Sequence, residues 1–171
     1  MKAVGMSPAG STPAHEVLAV IEWLSTRKVT YQVNGGWAVD ALAGNQTREH
    51  GDLDVFVDAN FVPALLAWLE ERGYSTVEDW LPIRIELASS AGRMDVHPMT
   101  INARGDGIQQ GFGGETFLHA AAERATGTID GVPVVVATRA RLRQLQEGYE
   151  LRPQDHHDLT VLAQLKADPG N

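Results

Sequence analysis

Asp52 and Asp54 stand one residue apart in the run Asp52-Leu53-Asp54-Val55-Phe56-Val57, whose apolar–polar alternation predicts a strand. On a strand, side chains alternate faces, so Leu53, Val55 and Val57 share one side while Asp52 and Asp54 share the other. Two further segments repeat the pattern. Ile83, Ile85 and Leu87 oppose Arg84 and Glu86; Met94 and Val96 oppose Arg93, Asp95 and His97. If these strands are neighbours, one face of the sheet is an apolar floor and the other gathers four carboxylates. Like charges packed on one face repel. A divalent cation resolves that conflict, and hard oxygen donors suit Mg²⁺. The other reading of Asp-x-Asp alone is a solvated edge.

The segment upstream adds to the first reading. Asn34-Gly35-Gly36 lies directly before a short helical run, where backbone N–H groups free of Cβ obstruction can approach a phosphate chain. Arg48, just before the acidic strand, is suited to a bidentate phosphate contact. Taken singly, these are a glycine turn and a surface arginine. Taken with Asp52, Asp54 and a third carboxylate on a later strand, they supply the parts of a metal-dependent phosphoryl-transfer site.

These residues need a scaffold, and the sequence outlines one. Val17, Leu18, Ile21 and Leu24 have helical spacing, 29–33 reads as a short strand, and 37–43 reads as a helix ended by Gly44. Pro63 starts a helix over 64–72 that Gly73 closes. Ser89-Ser90-Ala91-Gly92 joins 83–88 to 93–97 as a hairpin, and Asp130-Gly131 turns a second one. Two helices follow, over 140–149 and 155–166, separated by Pro153. The fold class is therefore α+β (mixed α/β). Residues 1–13, rich in Gly, Ser and Pro, read as a flexible N-terminal arm, and 14–171 as a single domain.

With 171 residues, a formal net charge of −8 and no cysteine, the chain is long enough for its own core. Disulfides, zinc thiolate sites and cysteine nucleophiles are excluded. The acidic balance argues against a nucleic-acid or anionic-membrane footprint. No apolar run approaches the roughly 18 residues of a membrane helix, and the start lacks a signal peptide's apolar core, so a cytoplasmic location is expected.

The string Gly35-Gly36-Trp37-Ala38-Val39-Asp40-Ala41-Leu42, followed by Thr47-Arg48-Glu49-His50-Gly51-Asp52-Leu53-Asp54-Val55, resembles the small antibiotic nucleotidyltransferases of the DNA polymerase β superfamily. The lincosamide nucleotidyltransferases are the closer likeness and the aminoglycoside 2″-adenylyltransferases the more distant one. The likeness continues through Arg84-Ile85-Glu86-Leu87, Met94-Asp95-Val96-His97-Pro98, Gly148-Tyr149-Glu150-Leu151 and Asp155-His156-His157-Asp158-Leu159, covering about residues 30–165. It implies a polymerase β-like fold, a small mixed sheet with helices packed on one side. It also implies a nucleoside triphosphate, ATP, as co-substrate near Gly35 and Gly36, with Mg²⁺ as the cofactor. Asp52 and Asp54 would be paired metal ligands, and Asp95 the third carboxylate, as ligand or as general base for the acceptor hydroxyl.

Other residues stay open at this level. Glu86 is either a second base or acceptor-orienting carboxylate, or a partner of Arg84 or Arg93. His97 either bonds the acceptor or metal-bound water, or is structural beside Pro98. Asp40 reads as a fastening for the glycine segment, and Asp155 as a helix N-cap. Trp23, Trp37 and Trp68 read as core, while Trp80 and Tyr74 could wall an acceptor cleft. His156-His157 is not a metal motif, because adjacent helical residues diverge by about 100°. Acceptor contacts are expected from the loop region 103–124 and the C-terminal helices. A homodimer lending a wall to the acceptor site fits the relatives. The expected reaction is transfer of AMP to a hydroxyl of a small molecule. A nucleotidyltransferase of a toxin–antitoxin or regulatory pair acting on a macromolecule, and a catalytically silent nucleotide-binding module, use the same residues.

Overall fold

The computed structural model describes residues 10–165. Helix α1 (Ala14–Thr26) buries Val17, Val20, Ile21 and Leu24 along one stripe. Strand β1 (Tyr31–Asn34) runs straight into α2 (Gly35–Ala43), so the two glycines are the first turn of that helix rather than a loop before it. Gly44 ends α2 at φ 81°, its amide bonded to Asp40 O at 2.9 Å and Ala41 O at 3.2 Å. This left-handed cap is the one the sequence predicts.

Strand β2 (Leu53–Asp58) leads to α3 (Val62–Glu71), with Pro63 in its first turn and Gly73 at φ 94° beyond its end. A strand that the sequence reading lacks, β3 (Ser75–Trp80), then pairs with β4 (Arg84–Ser89). All six of its residues are exposed, so it carries little of the half-buried alternation by which strands are recognised. The predicted hairpin joins β4 to β5 (Gly92–Ile101), closing at Ser89↔Gly92. The region expected as loop holds a second hairpin, β6 (Gly107–Gln110) with β7 (Thr116–His119). Strands β8 (Arg124–Ile129) and β9 (Val132–Ala137) meet at Asp130-Gly131, where φ is 48° and 77°. Two successive positive φ values are what a tight Asp-Gly hairpin turn requires. Helix α4 (Arg139–Leu145) stops four residues short of the expected 149, and α5 (Pro153–Gln164) starts two earlier than 155. Asp155 is consequently the third residue of α5, not its N-cap, and receives the backbone amide of Arg152 at 2.9 Å.

The sheet runs β3-β4-β5-β2-β1-β9-β8, with β6 and β7 extending from β5. Strands β2/β5 and β1/β9 pair in parallel and the rest antiparallel, which makes the sheet mixed. Leu53, Val55, Ile85, Leu87, Met94 and Val96 are all 4% exposed or less, and they share one core with Leu65 and Leu69 of α3 and the buried stripe of α1. At roughly 25 cal/mol per Å² of apolar surface, that floor fixes which face the strands turn to the core. Trp23 and Trp37 are buried, as expected.

Of the expected arm, residues 1–9 lie outside the described part. Its last residues are fixed: Thr12 is 1% exposed, donates its hydroxyl to Gly51 O at 2.9 Å and accepts the amide of Arg93 at 2.9 Å. Among the described residues, no helix is long and apolar enough to cross a membrane.

Candidate active site

The parallel register of β2 and β5 sets Asp54 opposite Asp95, and the hairpin register sets Glu86 opposite Asp95. Three carboxylates from three adjacent strands therefore line one row of the polar face, as the alternation predicts. Asp52 lies just before β2, at the rim of the same cleft.

The row is held by cations. His97 Nε2 lies 2.9 Å from Asp54 Oδ1 and 3.4 Å from Asp95 Oδ2. Arg84 Nη1 reaches Asp95 Oδ1 at 3.2 Å while Nη2 holds Glu78 at 3.0 Å, and Arg93 grips Glu86. The ring of His97 lies flat on Phe56, centroids 4.2 Å apart and planes 11° apart. Glu86 thus has the arginine partners that one of its two readings foresaw. His97 faces the carboxylates.

Charge follows from this geometry. Withdrawal from bulk water, then the charges of Asp54, Asp95 and Glu86, push Asp52 up to about 6. Burial pulls His97 down, but the bonds and charges of Asp54 and Asp95 outweigh it and hold it up at about 9. Burial likewise raises Asp95, and His97 and Arg84 reverse that, leaving it below the usual carboxylate range. An imidazolium between two carboxylates occupies the place that the donor chemistry offers a cation. Asp54, Asp95 and His97 can each turn one ligand atom to a common point, these atoms lying within 4.8 Å of one another. The donor set fits a divalent ion, with Asp52 close by.

The start of α2 forms the neighbouring wall. Gly35 sits at φ 70°, and a Cβ there would come 3.2 Å from Asp54 Oδ2. A Cβ on Gly36 would collide with the Arg48 guanidinium and the His50 ring. The bare side of Gly36 is therefore filled from beneath by protein, a packing demand that the reading of a phosphate cradle did not include. Arg48 spends Nε and Nη2 on Asp158, at 2.9 and 2.8 Å. Its expected bidentate partner is thus a carboxylate of α5. Asp40 fastens the segment as expected: it receives the Thr47 amide at 2.8 Å and pairs with His50 Nε2 at 2.6 Å. Thr47 in turn meets His157 Nε2 of α5 at 2.8 Å, so His157 belongs to this network.

These elements enclose a cleft of about 510 Å³. Asp52, Asp54 and Glu86 line one side, the glycine start of α2 another, and Leu145, Tyr149 and Arg152 from the α4–α5 segment a third. Of these three only Tyr149 lies in the family string, within Gly148-Tyr149-Glu150-Leu151; Leu145 and Arg152 lie outside it and carry no sequence signal, since neither is bound to a spacing. Of the two expected acceptor-wall aromatics, Tyr74 is 2% exposed and donates to Glu16 Oε1 at 2.5 Å, which removes it from the cleft. Trp80 is exposed and packs edge-on against Phe112, centroids 5.4 Å apart.

A mixed sheet that aligns carboxylates on adjacent strands beside a glycine-led helix start defines a nucleotidyltransferase. The model of the aminoglycoside-2″-adenylyltransferase family matches residues 16–162, and the chain belongs to that family. A lincosamide resistance protein of Staphylococcus haemolyticus is 32% identical over 152 residues, 88% of this chain and 94% of that protein. The crystal structure of the lincosamide antibiotic adenylyltransferase LnuA, lincomycin-bound, superposes with a TM-score of 0.84 at 28% identity, covering 91% of this chain and 99% of that one. ANT(2″)-Ia in complex with adenylyl-2″-tobramycin shares the fold, with a TM-score of 0.65 at 18% identity over 88% of this chain and 87% of that one. The chain is an enzyme of nucleotidyl transfer.

Proposed function

We propose that this enzyme transfers AMP from ATP to a hydroxyl of a lincosamide-type antibiotic, releasing pyrophosphate, and thereby confers resistance. The observation that carries the reading is the row Asp54–Asp95–Glu86 on adjacent strands, with Asp52, Asp54 and Glu86 lining one cleft beside Gly35. The names of the relatives, lincosamide proteins at 28–32% identity, support the acceptor class. In this reading Asp52, Asp54 and Asp95 hold Mg²⁺. Bound there, the ion neutralises charge on the triphosphate and on the departing pyrophosphate.

The chain's own residues do the rest. The N–H groups at Gly35 and Gly36 face the triphosphate at the positive end of α2. Arg48, braced by Asp158, lends positive potential from the floor of the cleft. Asp95, kept ionised by His97 and Arg84, takes the proton from the acceptor hydroxyl as the oxygen attacks the α-phosphorus in line. Glu86 and His97 flank that hydroxyl and orient it. A second copy of the chain closes the acceptor side, which is open at Trp80 and Phe112.

The test is a mass-shift screen of lincosamides and aminoglycosides with ATP and Mg²⁺, followed by single-turnover rates. A mass gain of one AMP on a lincosamide is expected; a gain on aminoglycosides alone would reassign the acceptor. Asp95→Asn should lower the rate by about 10²–10⁴, with the binding of a non-hydrolysable ATP analogue retained. Glu86→Gln should cost less. A severe loss in Glu86→Gln beside an active Asp95→Asn would make Glu86 the base.

A further inference from the structure

Among the described residues, five carboxylates line the cleft: Asp52, Asp54, Glu86, Asp155 and Asp158. Asp52 and Asp54 are the two read as metal ligands. Each of the others is matched by an arginine of the same cleft. Asp155 pairs with Arg152 at 2.9 Å and Asp158 with Arg48 at 2.8 Å, and Arg93 grips Glu86. Asp155 and Asp158 are each 2% exposed and lie beyond the reach of a ligand. The Glu86 and Arg93 side chains are 20% and 47% exposed, so theirs is the pair that an acceptor can touch.

The place of this pair in the sheet fits that role. Opposed residues on paired strands share a face. Glu78, Glu86, Asp95 and Asp54 stand opposite one another in turn across β3, β4, β5 and β2. Asp54 ends that row beside the glycine start of α2, where the triphosphate is read. The acceptor therefore lies toward β4 and β3. On that half Arg84 holds Glu78 at 3.0 Å and Asp95 at 3.2 Å, while Arg93 holds Glu86. Beyond them Trp80, opposite Arg84, meets Phe112. The acceptor half is thus balanced in charge and edged by aromatic rings.

We propose that Arg93 is a specificity-determining residue, which by occupying Glu86 excludes polycationic acceptors and admits those that are neutral or carry one amine. The inference rests on the reading of Asp95 as the base, which puts the acceptor hydroxyl beside Glu86. An acceptor with several ammonium groups needs unmatched carboxylates, and outside the metal ligands the described cleft offers none. An ammonium at Glu86 would sit against the Arg93 guanidinium, and a like charge is a general means of rejecting a wrong partner. A hydroxyl meets no such penalty, since it can accept from the guanidinium or donate to the carboxylate.

The test is calorimetric binding of lincomycin and of tobramycin, a polyamine, to enzyme saturated with Mg²⁺ and a non-hydrolysable ATP analogue. Arg93→Gln should bind tobramycin about tenfold more tightly than wild type, the scale of one charge in a partly solvated cleft, and lincomycin with less change. The gain should shrink as salt is raised. Arg93→Lys keeps the charge and should stay at the wild-type value. Adding Glu86→Gln to Arg93→Gln should remove the gain. The Arg93 side chain is half exposed, and it is the Arg93 amide that bonds Thr12, so the fold should survive. Should Arg93→Gln fail to fold, Arg93→Met carries the same comparison. Unchanged tobramycin affinity in Arg93→Gln overturns the proposal, as does an equal gain in Arg93→Lys or a gain that persists without Glu86. AMP transfer is read alongside. A wild type that modifies no lincosamide would sink the proposed reaction, whereas the tobramycin comparison decides the role of Arg93 by itself.

Discussion

Arg48 holds Asp158 by two side-by-side hydrogen bonds, at 2.9 and 2.8 Å, across 110 residues of chain. The pair ties α5 to the segment beneath the glycine start of α2. Asp158 is 2% exposed and both of its carboxylate oxygens accept from this guanidinium.

Loss of the two partners should therefore be unequal. Arg48→Met strands a buried carboxylate and should cost about 3–5 kcal/mol, whereas Asp158→Asn leaves an arginine that can reach water and should cost less. Urea denaturation of both variants measures the difference. Equal costs would mean that the pair is solvated and does not brace the site.

Asp52→Asn and Asp54→Asn keep shape while removing charge. Asp52→Asn relieves repulsion and should not lower the melting temperature, whereas Asp54→Asn takes a partner from His97 and should lower it modestly with the fold retained. Turnover should fall by about a hundredfold or more, as expected when metal-ligand charge worth several kcal/mol is lost. Near-wild-type transfer in either variant would remove that residue from the ion site, and unfolding would assign it a structural role.

Gly36→Ala tests packing rather than ligand contact. Its methyl group would meet Arg48 and the buried His50, so stability should drop by about 1–3 kcal/mol, the usual range for overpacking. Nucleotide affinity should fall alongside, because the helix start must shift. A variant as stable as wild type, with affinity alone reduced, would show that the Cβ projects into the cleft.

His119 gives a pH signature. An unfolded histidine titrates near 6.5, while burial and neighbouring cations hold the native His119 down to about 4. Between these values the unfolded chain binds a proton that the native ring refuses, so stability falls as pH drops through that window. The loss by pH 4 should be on the order of 2–3 kcal/mol. His119→Gln should flatten that part of the curve in chemical denaturation from pH 4 to 7. An unchanged slope would show that His119 titrates normally in the fold.

The local signals in the sequence are those that a few neighbouring residues settle by themselves. The alternation of Leu53, Val55 and Val57 against Asp52 and Asp54 gives a strand and its buried face; Gly44, Gly73 and Asp130-Gly131 give the ends and the turn. Strand β3 is hidden because its exposed residues need no alternation, and β6 and β7 because four-residue strands amid glycines leave too short a pattern. Asp95 and Glu86 could be named as neighbours of Asp54, but their order across the sheet depends on β2 lying between β1 and β5. Arg48 shows the other limit. Its type and place suit a phosphate, and nothing near it in sequence announces Asp158.

The pairing of Asp54 with Asp95 across β2 and β5 makes the centre an all-or-none arrangement. Side chains on neighbouring strands alternate with a period of two, so sliding either strand by one place would swap each carboxylate for an apolar side chain. No intermediate setting exists in which the acids are half aligned. Single-residue insertions or deletions within β2 or β5 should therefore abolish function outright. Insertions in the 111–115 turn leave that alignment alone. Variation among related chains should accordingly divide into a part of fixed length around the acids and a part free to change length at the acceptor rim.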